Sequence, residues 1–227
     1  MLSAIAIIPS APVMVPELSS GAAAELADLR TAVISAAGEL PMRWIGIGAG
    51  VSDAVIGPRA VGTFAGYGVD VRVALSPGAD DPPAPLPLCA LIAGWVRGEA
   101  TPGADAEMRV YADAHDVDTA LARGRALRAE IDGAGGEVGA LVVADGLHTL
   151  SDTAPGGYNP DAAPRQDALD DALATGDAAA LTRLLDDVVG RVAYQVLAGL
   201  AEAPRAATQL YRGAPYGVGY FAGVWRT

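Results

Sequence analysis

Apolar residues along the chain form two kinds of pattern, brief continuous runs and longer stretches at helical spacing. The brief runs are rich in β-branched residues and bounded by Gly or Pro, which is typical of buried strands. They predict strands at Leu2–Ile8, Trp44–Gly48, Val69–Ala74, Met108–Ala112 and Ala140–Ala144, and a closing strand pair within Gln209–Trp225. The first run, which stops at Pro9, is expected to form a central strand buried on both faces.

Helices are predicted where apolar residues recur every three or four positions between capping and breaking residues. The predicted helices run from Ser19 or Ser20 to Leu40, from Leu88 to Val96, from Asp116 or Asp118 to Ile131, from Gln166 to Ala174, and from Asp177 to Ala201. Loops are expected at Gly98–Ala106 and Asp145–Pro164. The segment Ser76–Pro87 holds five prolines and is expected to be an extended connection within the domain.

This alternation of strands and helices predicts the α/β class, with a central mixed sheet flanked by helices. The 227 residues are expected to form a single domain, residues 1–227. In α/β sheets, ligands bind beyond the carboxyl ends of the strands, so functional side chains are sought there. Neither a Walker loop nor a dinucleotide-binding fingerprint follows a predicted strand.

The net charge of the chain limits the classes of molecule that it is expected to bind. A formal net charge of −12 without a cluster of basic residues argues against nucleic acid and against anionic membranes. A small molecule or another protein is the expected partner. The one cysteine, Cys89, lies in an apolar stretch, which favours a reduced, buried thiol and a cytoplasmic location. The apolar start of the chain lacks the basic region of a signal peptide, and no apolar run is long enough for a membrane helix.

Three stretches of sequence carry a resemblance to a known family. They are Ile7–Pro12 with Val15–Glu17, then Asp145–His148 continuing to Ala154–Pro160, and finally Pro215–Tyr220. A D-x-x-H turn, a P-x-G-Y-x-P loop and a terminal P-Y-G-V-G-Y, in this order and at this spacing, resemble the class III extradiol ring-cleaving dioxygenase superfamily, which includes the LigB and Memo types. The resemblance spans nearly the whole chain and implies that family's fold.

In that superfamily, Fe(II) is held by a histidine after the first strand, a histidine after the next strand and a glutamate near the C-terminus. This chain departs from the pattern at all three places. Ser10 stands at the first ligand position, Gly48–Ala49–Gly50 at the second, and Tyr211–Arg212–Gly213 in the glutamate region. Two histidines and one carboxylate are the usual ligands of non-haem Fe(II), and neither serine nor arginine replaces them. We therefore expect no cofactor and no ring cleavage.

His148 matches the histidine that moves protons during ring cleavage in the family, and a strand-end histidine can act as acid or base near neutral pH. A histidine that hydrogen-bonds the loop backbone is an equally weighted interpretation. Asp145 is a candidate orienting group for it, or a turn residue. The resemblance implies a pocket formed by the following residues: Ser10, Ala49, Tyr158, Arg212 and Tyr216.

Three functions stay open. The leading hypothesis is a divergent dioxygenase-like protein without the iron site, which keeps a pocket for an anionic or aromatic small molecule or for a partner. The second is an active Fe(II) dioxygenase whose ligands are His115, His148 and an acid. The third is a hydrolase using Ser10 and His148, although the chain lacks a nucleophile elbow. Because members of the family often form dimers or larger assemblies, a homo-oligomer is also expected.

Overall fold

The architecture rests on a large mixed β-sheet. The computed structural model describes residues 1–19 and 25–227. Its strands are β1 (Leu2–Ile8), β2 (Arg43–Gly50), β3 (Ala54–Ile56), β4 (Val61–Thr63), β5 (Arg72–Ala74), β6 (Asp105–Ala112), β7 (Val138–Val143), β8 (Ala206–Gly213) and β9 (Tyr220–Arg226). Seven of them form one sheet in the order β3-β6-β2-β7-β1-β9-β8, and β4 and β5 pair separately. The four inner strands β6, β2, β7 and β1 are parallel, and antiparallel pairs occupy both sides.

Helices cover both faces of this sheet. They are α1 (Ala27–Gly38), α2 (Leu88–Ala100), α3 (Val117–Gly133), α4 (Ala162–Thr175), α5 (Ala178–Leu181) and α6 (Arg191–Leu200). The apolar faces of α1 and α2 share one buried cluster with the sheet, and those of α3 to α6 share the other. The predicted α/β class, a mixed sheet flanked by helices, is confirmed.

Strand β1 shows why its sequence is apolar almost throughout. Ala4, Ala6 and Ile8 point into the cluster under α1 and α2, whereas Ile5 and Ile7 point into the opposite cluster. All five are at most 1% exposed. A strand covered on both faces has no solvent side, so the polar alternation of a half-buried strand is missing. The prediction of a central strand buried on both faces is therefore confirmed.

Two glycines let α3 and α6 approach each other closely. A Cβ on Gly124 would collide with the backbone carbonyl of Val196, and a Cβ on Gly199 would collide with that of Leu121. Both obstacles are backbone atoms of the facing helix, which cannot move aside as a flexible side chain can. Glycine at these two positions is therefore a condition of the helix packing.

The prediction of one helix over Asp177–Ala201 is wrong. The helix stops after α5, and residues 182–190 cross the end of β7 in an irregular path before α6 begins. There, the Val189 amide donates to the Gly146 carbonyl over 3.1 Å, and the Gly190 amide donates to the Asp145 carbonyl over 2.8 Å. These long-range hydrogen bonds replace the bonds that a continuous helix would make, so tertiary structure overrides the helical spacing.

Other boundaries also differ from the prediction. Val69–Ala74 is not a strand of the main sheet, because only residues 72–74 are extended and they pair with β4. The predicted loop Gly98–Ala106 is shorter, since α2 continues to Ala100 and β6 starts at Asp105. Ser19 does not cap α1: it lies before the helix and binds the Arg30 side chain through its hydroxyl. Ser20 lies outside the described residues.

Candidate functional site

The carboxyl ends of the four parallel strands meet at one edge of the sheet, together with the start of β9. This edge is where α/β proteins bind ligands. Ser10 follows β1, Ala49 is near the end of β2, His115 follows β6, and Asp145 and His148 follow β7. All five side chains belong to residues that are partly exposed. The fold thus places polar groups from separate parts of the sequence along a single accessible edge.

The three stretches that carry the family resemblance come together at this edge. The Gly146 amide donates to the Gly219 carbonyl over 2.9 Å, and the Gly219 amide donates back to the Leu147 carbonyl over 2.8 Å. From the first stretch, the Ser10 amide donates to Oδ1 of Asp145 over 2.7 Å. Segments distant in sequence therefore form one hydrogen-bonded unit centred on Asp145–Leu147.

The side chain of Gln166 in α4 stabilises this unit. The sequence pattern did not indicate Gln166 as a site residue. Its buried side chain accepts a hydrogen bond from the Leu147 amide over 2.8 Å and donates to Asp170 over 2.8 Å. A Cβ on Gly146 or on Gly219 would collide with the Gln166 carboxamide. The glycines of the D-x-x-H turn and the terminal motif therefore make room for this amide, and a phosphate cradle is not needed to explain them.

Asp145 is a strongly perturbed acidic group at the edge. Burial raises the pKa of its carboxyl to about 7, and the hydrogen bond from the Ser10 amide opposes this rise only in part. Burial also raises the pKa of Tyr220, and the nearby charge of Asp145 adds to that rise. A carboxyl with a pKa of about 7 exchanges its proton near neutral pH, so Asp145 can either accept or donate a hydrogen bond there.

His148 lies in the same loop with one ring nitrogen unpartnered. Its Nδ1 is buried and has no hydrogen-bond partner among residues 1–19 and 25–227. The ring packs against Gly156, where a Cβ would lie 2.6 Å from Nε2. The Asp145 carboxyl accepts its hydrogen bond from the Ser10 amide. A role of His148 in proton transfer, and of Asp145 in orienting it, stays a prediction.

Three of the predicted pocket residues have other partners or are exposed. Arg212 pairs with Asp171 of α4 at 2.8 Å. The Tyr216 hydroxyl donates to Glu25 over 2.7 Å, and Tyr216 holds a left-handed backbone with φ of 60°. Tyr158 is 59% exposed. Their place in a ligand pocket stays a prediction, whereas Ser10 and Asp145 are in direct contact.

The end of β2 offers little room for a metal ligand. A Cβ on Gly48 would lie 2.5 Å from the Cys89 side chain, and a Cβ on Gly50 would lie 2.8 Å from Val110. Between them stands Ala49, whose carbonyl faces the Cys89 thiol at 3.7 Å. The donor set at the ends of β1 and β2 therefore does not fit the two histidines that an Fe(II) site of this type requires.

His115, the other candidate ligand, forms a separate polar group. Its Nε2 lies 2.6 Å from Oδ1 of Asp53, whose Oδ2 accepts from Arg123 over 3.0 Å. The Ala112 amide also donates to Asp53, and this bond, with the contribution of His115, holds the Asp53 pKa below its usual value. Within residues 1–19 and 25–227, no three or more His, Cys, Asp and Glu side chains gather as a metal would need.

These features define a protein of the α/β class with a large mixed sheet and a polar cluster at its carboxyl edge. No protein-family model matches the chain, and no curated protein is significantly similar to it. Among solved structures, the fold is similar to the uncharacterized protein JW3007 from Escherichia coli K12, with a TM-score of 0.62 and 13% identity over 99% of this chain and 100% of that chain. In the described part of the chain, no helix is long and apolar enough to span a membrane.

Proposed function

We propose that this chain is a divergent member of the class III extradiol dioxygenase superfamily that binds a small molecule without iron. The observation that carries the proposal is the hydrogen-bonded unit around Asp145. It joins the three stretches on which the resemblance rests, and it includes Ser10, which the resemblance aligns with the family's first metal ligand. The departure at the end of β2, where glycines are fixed by packing, supports the loss of the metal site.

The electrostatics favour a hydroxylated aromatic ligand over an anionic one. Arg212, the cation that the sequence offered for an anion, pairs with Asp171. The groups that remain are the Asp145 carboxyl, with a pKa of about 7, and the unpartnered Nδ1 of His148. A neutral hydroxyl can hydrogen-bond to either protonation state of Asp145 without adding charge to a buried site.

The first experiment measures metal content and ligand binding on the same preparation. Elemental analysis after anaerobic loading with Fe(II) is expected to find no stoichiometric iron, zinc or manganese. Thermal-shift titration with catechol, phenol and benzoate is then expected to show stabilisation by the hydroxylated compounds. The shift should be lost in Asp145→Ala and reduced in His148→Ala, because both remove a hydrogen-bonding partner.

His115→Ala is the matched control, because it removes the other histidine of the chain at a separate position on the same edge. It should leave the stabilisation by hydroxylated aromatics unchanged. Stoichiometric metal that is lost in His148→Ala would overturn the metal-free proposal. Equal loss of binding in His115→Ala and His148→Ala would show that the ligand site is not centred on Asp145.

A further inference from the structure

A groove lies at the same sheet edge, beside the end of β6, and has a volume of about 820 Å³. Its walls are the β6–α3 loop with His115 and Asp113, and the segment from Thr182 to Gln195. Small-molecule sites typically span roughly 300–1,000 Å³. The groove is therefore large enough for a ligand with several ring or chain atoms.

The loop that forms one wall is held in place. Arg191 of α6 donates to the backbone carbonyls of His115 and Asp113, each over 3.0 Å, and its side chain also contacts Gln195 and Asp186. Asp116 caps α3 by accepting from the Thr119 amide, so His115 is not needed as the cap. A wall fixed in this way presents a preformed site, which lowers the entropic cost of binding.

The orientation of His115 leaves one ring nitrogen as an acceptor. Asp53 is ionised at neutral pH because its pKa is lowered, and it takes the hydrogen bond from Nε2 over 2.6 Å. In the neutral imidazole the proton then resides on Nε2, and Nδ1 carries the free lone pair. This arrangement fixes the tautomer of a histidine that lines the groove.

The polar groups that remain available in the groove are hydrogen-bond acceptors, so a ligand should supply a donor. The Arg191 guanidinium is engaged by backbone carbonyls and by Asp186, and Arg183 donates to the Ala179 carbonyl. The carboxylate of Asp113 is exposed and has no hydrogen-bond or ion-pair partner in the described part of the chain. The remaining walls include the apolar side chains of Leu184, Val188 and Val192. A chain with a net charge of −12 attracts cations.

We propose that this groove binds an amine with an apolar body, whose ammonium group donates to Nδ1 of His115 and to the Asp113 carboxylate. The site uses different side chains from the one proposed around Asp145, including the other histidine. In this proposal, Asp53 orients His115 so that Nδ1 can accept a hydrogen bond from the ligand. Arg191 positions the loop that carries His115.

Three probes with the same apolar body test the charge of the ligand. Phenethylamine, 2-phenylethanol and 3-phenylpropionate are titrated into the full chain while the two histidine ring systems are followed by NMR. Phenethylamine is expected to shift the His115 ring signals and to bind with the lowest Kd. Asp113→Asn and His115→Ala should each weaken it by about tenfold or more, as expected for loss of a charge-assisted hydrogen bond.

Val189→Trp and His148→Ala separate the two sites. Val189 lines the groove but is 50% exposed, so a tryptophan there occupies the groove without entering the core. It should abolish amine binding, whereas His148→Ala should retain it. Tighter binding of the carboxylate or the alcohol, or amine binding that survives both Asp113→Asn and His115→Ala in folded protein, would overturn the proposal.

Discussion

Replacing Asp145 with Asn should make the protein more stable at alkaline pH and remove one component of its pH dependence. Burial raises the pKa of this carboxyl from an ordinary value of 3.8 to about 7. The folded state therefore resists ionisation in the interval between these values, whereas the unfolded state ionises freely. Stability conferred by the neutral form is present at low pH and is lost as the pH rises towards 7.

The size of the effect follows from the same two pKa values. Between about pH 4.5 and about pH 8, the cost of ionising Asp145 in the folded state grows by about 3 kcal/mol. Asn keeps an oxygen that can accept the Ser10 amide, but it cannot ionise. The difference in unfolding free energy between Asp145→Asn and wild type should therefore shift by about this amount, in favour of the variant at the higher pH.

Urea unfolding at the two pH values measures this difference directly, with buried tryptophans such as Trp44 and Trp225 as the fluorescent probes. Asp152→Asn is the matched control, because Asp152 is exposed in the same loop and its replacement should give no such shift. A difference between Asp145→Asn and wild type that is the same at both pH values, within about 0.5 kcal/mol, would refute the reasoning.

Three further predictions concern packing and reactivity. Gly219→Ala should destabilise the fold by about 2–4 kcal/mol in urea unfolding, because the methyl group displaces the Gln166 carboxamide from a buried hydrogen bond. Gly124→Ala should cost at least as much, since it meets backbone of α6, whereas Gly38→Ala in α1 has open space and should be neutral or stabilising by up to about 1 kcal/mol. Cys89, whose pKa is raised to about 11 by burial, should resist a thiol reagent in the native protein and react quickly in urea; fast native reaction would contradict its burial.

The parts of the fold that the sequence predicted are those in which local pattern and tertiary environment agree. β1 is apolar on both faces because both faces are covered, and α3 starts at Asp116 because its side chain caps the helix. The break between α5 and α6 had no local signal. It depends on the amides of Val189 and Gly190, which bond to carbonyls more than 40 residues away in sequence, and helical spacing carries no information about such partners.

The candidate site also contains residues that the sequence predicted and residues that it did not. The resemblance of motifs predicted that Ser10 and Asp145 lie close together, and the structure joins them by a hydrogen bond from the Ser10 amide to the Asp145 carboxyl. Gln166 went unnoticed because a single buried amide in an amphipathic helix leaves no periodic signature. Arg212 could not be assigned from sequence, since its contact with Asp171 depends on how α4 lies against β8.

The glycines at the end of β2 limit where a metal ligand could stand on that strand. Gly48 and Gly50 are fixed by contacts with Cys89 and Val110, so a histidine at Gly48 would push α2 away from the sheet, and one at Gly50 would collide with Val110 of β6. Ala49 is the position between them at which a larger side chain would not meet those two obstacles. The proposed absence of iron therefore depends on the residue at Ala49 as well as on the packing of Gly48 and Gly50, and a search for ligands should begin with the proposed Asp145 and His115 sites.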